Sequence, residues 1–125
     1  MRLPLEIPII VKDVNIIGPD SSIEVDLILD TGSVFTVISW HMLKMIGFDP
    51  ATISERIEVV TANGIVEVPR LIVDKMVIGD IEAQNIEIIC HDIPDLTGIS
   101  GVLGLSFLQY FRTVIDYKQD YLEIS

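Results

Sequence analysis

The sequence predicts an all-β fold, a barrel or a sandwich of many short strands. Val and Ile outnumber good helix formers along most of the chain, and β-branched side chains suit a pleated, half-buried surface. Turn signals recur at Gly18-Pro19-Asp20-Ser21, Ala62-Asn63-Gly64, Gly79-Asp80 and Lys118-Gln119-Asp120, and the apolar stretches between them have strand length. The 125 residues fit one domain, residues 1–125, with no linker dividing it, and a hydrophobic content of 50% supplies a core.

Leu3 to Val11 reads as extended, with Pro4 and Pro8 marking an edge. Ile23 to Leu29 alternates apolar and acidic residues, then turns fully apolar, which describes a strand with a buried far end. Asp30-Thr31-Gly32-Ser33 interrupts it, and Val34 to Ile38 resumes as a strand. Ser39 is placed to cap a short helix from Trp40 to about Ile46, ended by Gly47. Glu55 to Thr61 and Ile65 to Val68 flank a tight turn as a hairpin, and Leu71 to Ile78 with Ile81 to Cys90 form another. His91 to Ser100 is a polar loop with Pro94 and Gly98. Gly101 to Gly104 is a short apolar strand, Leu105 to Phe111 one or two helical turns, and Thr113 to Ile124 a closing hairpin.

Charge narrows the function. The net charge is -11, with 8 Lys and Arg against 19 Asp and Glu. Nucleic acids and anionic membrane surfaces need cationic side chains to replace counterions, so neither is an expected partner. No apolar run approaches the roughly 20 residues of a membrane helix. The start Met1-Arg2-Leu3-Pro4-Leu5-Glu6 makes a poor signal peptide, because Pro and Glu interrupt it. The single cysteine, Cys90, suits a reducing compartment, and a cytoplasmic location is the expectation, either alone or as a domain of a longer protein. Cys90 and His91 are strand neighbours that point to opposite faces, so a thiol–imidazole pair is not expected. Two His and one Cys without zinc spacing predict no metal, and nothing in the sequence calls for a cofactor.

The residue that carries chemistry is Asp30. It stands at the end of an apolar strand, in a turn with two hydroxyls and a glycine. A carboxylate buried there needs hydrogen-bond donors, and Thr31, Ser33 and the Gly32 N–H are at hand. Gly32 also lets another backbone pass close. Such a turn can position a carboxylate for general acid/base work. Asp-Thr-Gly alone is short enough to recur by chance, so its context decides.

In that context the chain resembles the retropepsin-like aspartic peptidases. Four matches occur in order over about residues 10 to 124. They are Ile28-Leu29-Asp30-Thr31-Gly32-Ser33 followed by Val37-Ile38, the hairpin turn Thr61-Ala62-Asn63-Gly64, Val102-Leu103-Gly104 with Leu105-Ser106-Phe107-Leu108 behind it, and Val114-Ile115-Asp116-Tyr117 with its hairpin. The resemblance implies a closed β-barrel of the acid-protease type with one or two short helices. It implies an endopeptidase acting on extended polypeptide, with a water activated between two aspartates. Because one chain holds one Asp-Thr-Gly, the second carboxylate implies a symmetric homodimer.

By the same resemblance, Thr31 hydrogen-bonds across the dimer axis, Ser33 bonds the outer oxygen of Asp30, and Gly32 meets the substrate backbone. Val102, Leu103 and Gly104 pack under the loop. The flap spans Glu58 to Val68, with Thr61, Ala62, Asn63 and Gly64 at its tip. Ile28, Val60, Ile65 and Val102 are subsite walls or core. A mildly acidic pH optimum is implied. Two features depart from the family pattern. Ser106 stands where microbial members often carry Asp, and the terminal strands that assemble viral dimers are not recognisable by pattern.

The other acids read as turn residues. Asp20, Asp49, Asp92 and Asp95 are solvated or capping, and Asp116 pairs with backbone or with a base such as Arg112. Two alternatives stand beside the peptidase: a catalytically silent dimeric binding or assembly module with the same fold, and a metal-binding or monomeric barrel of unrelated function.

Overall fold

The computed structural model describes residues 1–93 and 98–125. In chain order the elements are β1 (Arg2–Pro4), β2 (Ile10–Ile17), β3 (Ser22–Leu29), β4 (Thr36–Ile38), α1 (Trp40–Met45), β5 (Arg56–Thr61), β6 (Gly64–Ile78), β7 (Ile81–Cys90), β8 (Ile99–Leu103), α2 (Leu105–Leu108), β9 (Thr113–Asp116) and β10 (Tyr121–Ile124). The protein is therefore mostly β with two short helices among the described residues, as the β-branched content and the recurring turns predict.

Seven strands pair in the order β2-β3-β8-β4-β7-β6-β5. β6 also returns to β2, pairing Lys75–Val77 with Asn15–Ile17. The pairings β3–β8 and β4–β7 are parallel, which interleaves chain-distant strands around Asp30. A separate three-stranded sheet, β1-β10-β9, joins the two ends of the chain.

The alternation read in β3 has its expected result. Val25, Leu27 and Leu29 are buried, whereas Glu24 is exposed and Asp26 half-buried. They join a core built from β2, β3, β6, β7, both helices and β10, including Ile16, Leu43, Met76, Ile86, Phe107 and Leu122. Each such side chain contributes about 1.5–3 kcal/mol by leaving water. A second, smaller cluster of Val37, Val68 and Ile89 packs with Phe35, Ile57, Val59, Val66 and Val102. It fastens the base of the β5–β6 hairpin to β4 and β8.

Two boundaries and one helix cap differ from the sequence reading. The extended stretch from Leu3 to Val11 breaks after Pro4, and β2 continues to Ile17. A bulge hides that continuation. Val11 and Val14 are both fully buried three residues apart, which strict alternation cannot give, and the register shifts between them. Asp13 has φ +57°, and its N–H is held by Asp26 Oδ1 at 3.0 Å. Next, the two stretches Ile65–Val68 and Leu71–Ile78 are one strand. β6 pairs with β5 as far as Pro69 and hands over to β7 at Arg70. Finally, α1 follows Ser39 as expected, but the Ser39 side chain makes no cap; the Trp40 N–H donates to Asp92 Oδ1 at 2.9 Å instead. The expected loop residues Pro94 and Asp95 lie outside the described residues.

Candidate active site

Asp30 leaves the sheet where β3 ends. Its N–H donates to the Leu103 carbonyl (3.0 Å), extending the β3–β8 pairing by one residue. The Gly32 N–H donates to Asp30 Oδ1 at 2.9 Å, and the Ser33 N–H to the Asp30 carbonyl at 3.2 Å. The carboxylate is thus oriented by its own turn. Asp30, Thr31 and Gly32 are exposed in the single chain, contrary to the burial expected for Asp30. Leu29, one residue earlier, is the last buried side chain of the strand.

Ser33 also differs from its expected partner. Its Oγ donates to the Phe35 carbonyl at 2.7 Å rather than to Asp30, so it closes the loop on itself. The stretch Val102-Leu103-Gly104 lies directly against this loop. Leu105 N donates to Ser33 O at 2.8 Å, and a Cβ on Gly104 would collide with the carbonyls of Phe35 and Ser33. Glycine is required there by close backbone approach.

Sequence reasoning missed Thr36. Its side chain is fully buried, and with Ser106 it forms the polar centre beneath the loop. The Gly104 N–H donates to Thr36 Oγ1 (3.2 Å), Ser106 Oγ donates to Thr36 Oγ1 (3.0 Å), and the Thr36 N–H donates to Ser106 Oγ (2.8 Å). The available signal was a hydroxyl inside the apolar run Val34–Ile38. Ser106, the departure from the microbial pattern, here acts as both donor and acceptor to Thr36.

Over the loop stands the β5–β6 hairpin. Thr61 Oγ1 donates to the Gly64 carbonyl (3.0 Å) and accepts from the Asn63 N–H (3.2 Å), which fixes the turn chemically. Gly64 has φ +113°, a conformation that favours glycine. An open cleft of about 430 Å³ separates hairpin and loop, lined by Gly32, Ser33, Phe35, Val37, Val59 and Ile89 among others. Of the expected subsite walls, Val60 also borders the cleft. Val60 and Ile65 form a cross-strand pair and are strongly exposed, whereas Val59 and Val66 pack into the smaller cluster. Ile28 and Val102 are half-buried.

Several other polar residues have structural partners. Asp49 accepts from the Ala51 N–H, and Asp116 from the Lys118 and Gln119 N–H groups. Arg112 lies 3.9 Å from Glu123, not beside Asp116. Arg70 bridges Glu55 (3.1 Å) and Glu87 (2.8 Å) where β6 changes partner. Cys90 is buried, and its thiol is pushed up from 9.0 to about 11 by that burial and by the Asp92 charge, against a smaller opposing effect of Arg56. That is the opposite of an activated nucleophile. Among the described residues, no group of three His, Cys, Asp or Glu converges to hold a metal, and no helix is long and apolar enough to cross a membrane.

Comparison with known proteins agrees with this geometry. Residues 20–110 match the family model described as gag-polyprotein putative aspartyl protease. The structure resembles the crystal structure of a retropepsin-like aspartic protease from Rickettsia conorii, with a TM-score of 0.71 over 100% of this chain and 97% of that one. The sequences are 21% identical, so that likeness is one of fold. A comparison with curated proteins gives no match. The matched span carries the Asp30 loop, the hairpin and the Val102–Gly104 stretch, and the chain belongs to the retropepsin-like aspartic protease family.

Proposed function

We propose that two copies of this chain form an aspartic endopeptidase, in which a water held between their Asp30 carboxylates attacks the peptide bond of an extended polypeptide. The observation that carries this reading is an exposed carboxylate, oriented by the Gly32 N–H on a loop pinned to β8, next to an open cleft that Gly32 and Ser33 of the same loop line beneath a hairpin. One such group cannot be both base and acid in the same step. Two related by a two-fold axis can. Aspartic-protease dyads are the type case of carboxylates too close for both to ionise, so the pair carries one proton and titrates as a unit. The ionised member takes a proton from the water, and the protonated member polarises the scissile carbonyl.

The unit proposed is the single domain of residues 1–125 as half of a symmetric site, with the β2-β3-β8-β4-β7-β6 ring as its barrel. The hairpin tip at Thr61–Gly64 covers the substrate and excludes water. Gly32 and the cleft residues receive the extended backbone, and Thr31, exposed beside Asp30, lies where the second subunit's loop meets it. No residue of the proposed machinery needs a metal or organic cofactor. A buried, unpaired Cys90 fits a reducing compartment such as the cytoplasm.

The test is cleavage of a denatured-protein mixture from pH 3.5 to 7.5, with Asp30→Asn and with a statine-type transition-state mimic. Wild type is expected to cut best at mildly acidic pH. Asp30→Asn should lower the rate by about 10²–10⁴-fold or more while leaving the dimer intact. A folded dimer that cuts nothing would replace this reading with that of a binding module, and activity rising steadily above pH 8 would exclude a shared proton.

A further inference from the structure

Two exposed apolar features stand on opposite flanks of Asp30. The order β2-β3-β8 puts β2 on one side of β3 and β8 on the other. On the β2 side, Leu29 N donates to the Ile9 carbonyl at 2.9 Å, so the segment before β2 runs beside the Asp30 loop. Ile7, on that segment, is 82% exposed. On the β8 side, Val34 (65% exposed), Leu105 (38%) and Tyr110 (60%) border an open cleft of about 450 Å³, which Ile72 also lines together with the polar Asn85, Glu87 and Gln109. The hydrogen bond from Leu105 N to Ser33 O ties this cleft to the same loop.

A single exposed Ile or Val is ordinary on a protein surface. Placement sets these apart. A two-fold axis beside Asp30, set perpendicular to the line that joins the two flanks, exchanges them, and the contact is isologous: residue i of one copy meets residue j of the other, and j meets i. The flank bearing Ile7 in one copy then faces the flank bearing Val34 in the other. Two chains of net charge -11 repel each other, so a contact near the axis gains from being apolar. We propose that Ile7 of each copy inserts between Val34, Leu105 and Tyr110 of the other, and that this reciprocal contact aligns the two Asp30 loops. The inference rests on the dimeric reading above and names the surface that reading requires.

The experiment exploits the reciprocity. Ile7→Lys and Val34→Glu are made separately, and dimer dissociation is measured by sedimentation equilibrium alongside thermal unfolding. Both side chains are exposed in the single chain, so neither substitution should unfold it. Each variant alone loses two symmetric contacts. Burial of one aliphatic side chain corresponds to at least about tenfold in affinity, so the dissociation constant should rise at least about 100-fold. Mixed in equal amounts, the two variants keep one native Ile7–Val34 contact and gain one Lys–Glu pair, and the heterodimer should form within about tenfold of the wild-type affinity. Folded variants that dimerise like wild type, or a mixture that stays monomeric, would overturn the contact. A wild type that is monomeric at every concentration would sink the two-Asp30 reading with it; a wild-type dimer indifferent to both substitutions sinks this contact alone.

Discussion

Replacing Thr36 with Val keeps the shape of a fully buried side chain and removes its hydroxyl. Two donors then lose their acceptor, the Gly104 N–H at 3.2 Å and Ser106 Oγ at 3.0 Å. Both are buried, so water cannot replace what is lost. An orphaned buried N–H costs about 1–3 kcal/mol and a lost hydroxyl bond about 1 kcal/mol, so Thr36→Val should destabilise by about 2–4 kcal/mol. Against a typical stability of about 5–15 kcal/mol, this is large. In urea unfolding at fixed protein concentration the midpoint should fall by about 1–2 M at unchanged slope. Ser106→Ala orphans the Thr36 N–H instead and should cost about 1–3 kcal/mol. The hydroxyl–hydroxyl bond is lost in either single variant, so the double variant should fall short of additivity by about 1 kcal/mol. Single effects below about 0.5 kcal/mol, or additivity within about 0.3 kcal/mol, would refute the account of Thr36 and Ser106 as one polar unit.

Two further outcomes follow from particular atoms. Gly104→Ala places a methyl group against the Phe35 and Ser33 carbonyls, so the loop must move; cleavage should fall by at least about 100-fold while the far hairpin β6–β7 keeps its hydrogen-exchange protection, and full activity would show that the loop tolerates displacement. Cys90 bears on alkaline stability: its folded value of about 11 lies above the ordinary 9.0, so its contribution is present below pH 9 and is lost as pH rises through 11, up to about 3 kcal/mol. Cys90→Ala should flatten that slope, and a native thiol labelled by iodoacetamide at pH 8 as fast as in denaturant would contradict its burial.

The chain displays its fold wherever one period rules a segment. The alternation of Ile23 to Leu29 placed β3 and its buried face, and Gly79-Asp80 placed the β6–β7 turn. Prediction failed where backbone geometry broke the period. The bulge at Asp13 hid most of β2, and the change of partner at Pro69 made one strand look like two. At the candidate site, Asp30, Gly32 and the hairpin turn were readable because turn chemistry restricts residue types. Thr36 was not, because its role depends on Ser106, 70 positions away in sequence, and on two backbone N–H groups. Nor could the sequence show that Asp30 stands exposed in the single chain, since that depends on where the strand ends relative to β8.

That exposure locates the cost of assembling the proposed site. In one chain the carboxylate is exposed and accepts from the Gly32 N–H of its own turn, so folding does not need to bury it. On the proposed reading, desolvation and repulsion would arise when a second Asp30 arrives, and would fall on association rather than on folding. Association on these terms needs a favourable contribution from surfaces that the monomer leaves wet. Ile7, Val34 and Tyr110 are such surfaces, and they flank the loop on both sides. In the proposed dimer acid would assist in the same direction, because a pair that shares one proton takes it up as it forms. The proposed site, divided between two copies, would thereby leave each monomer without a strained carboxylate, and strain would arise only where the second carboxylate is present to share the proton.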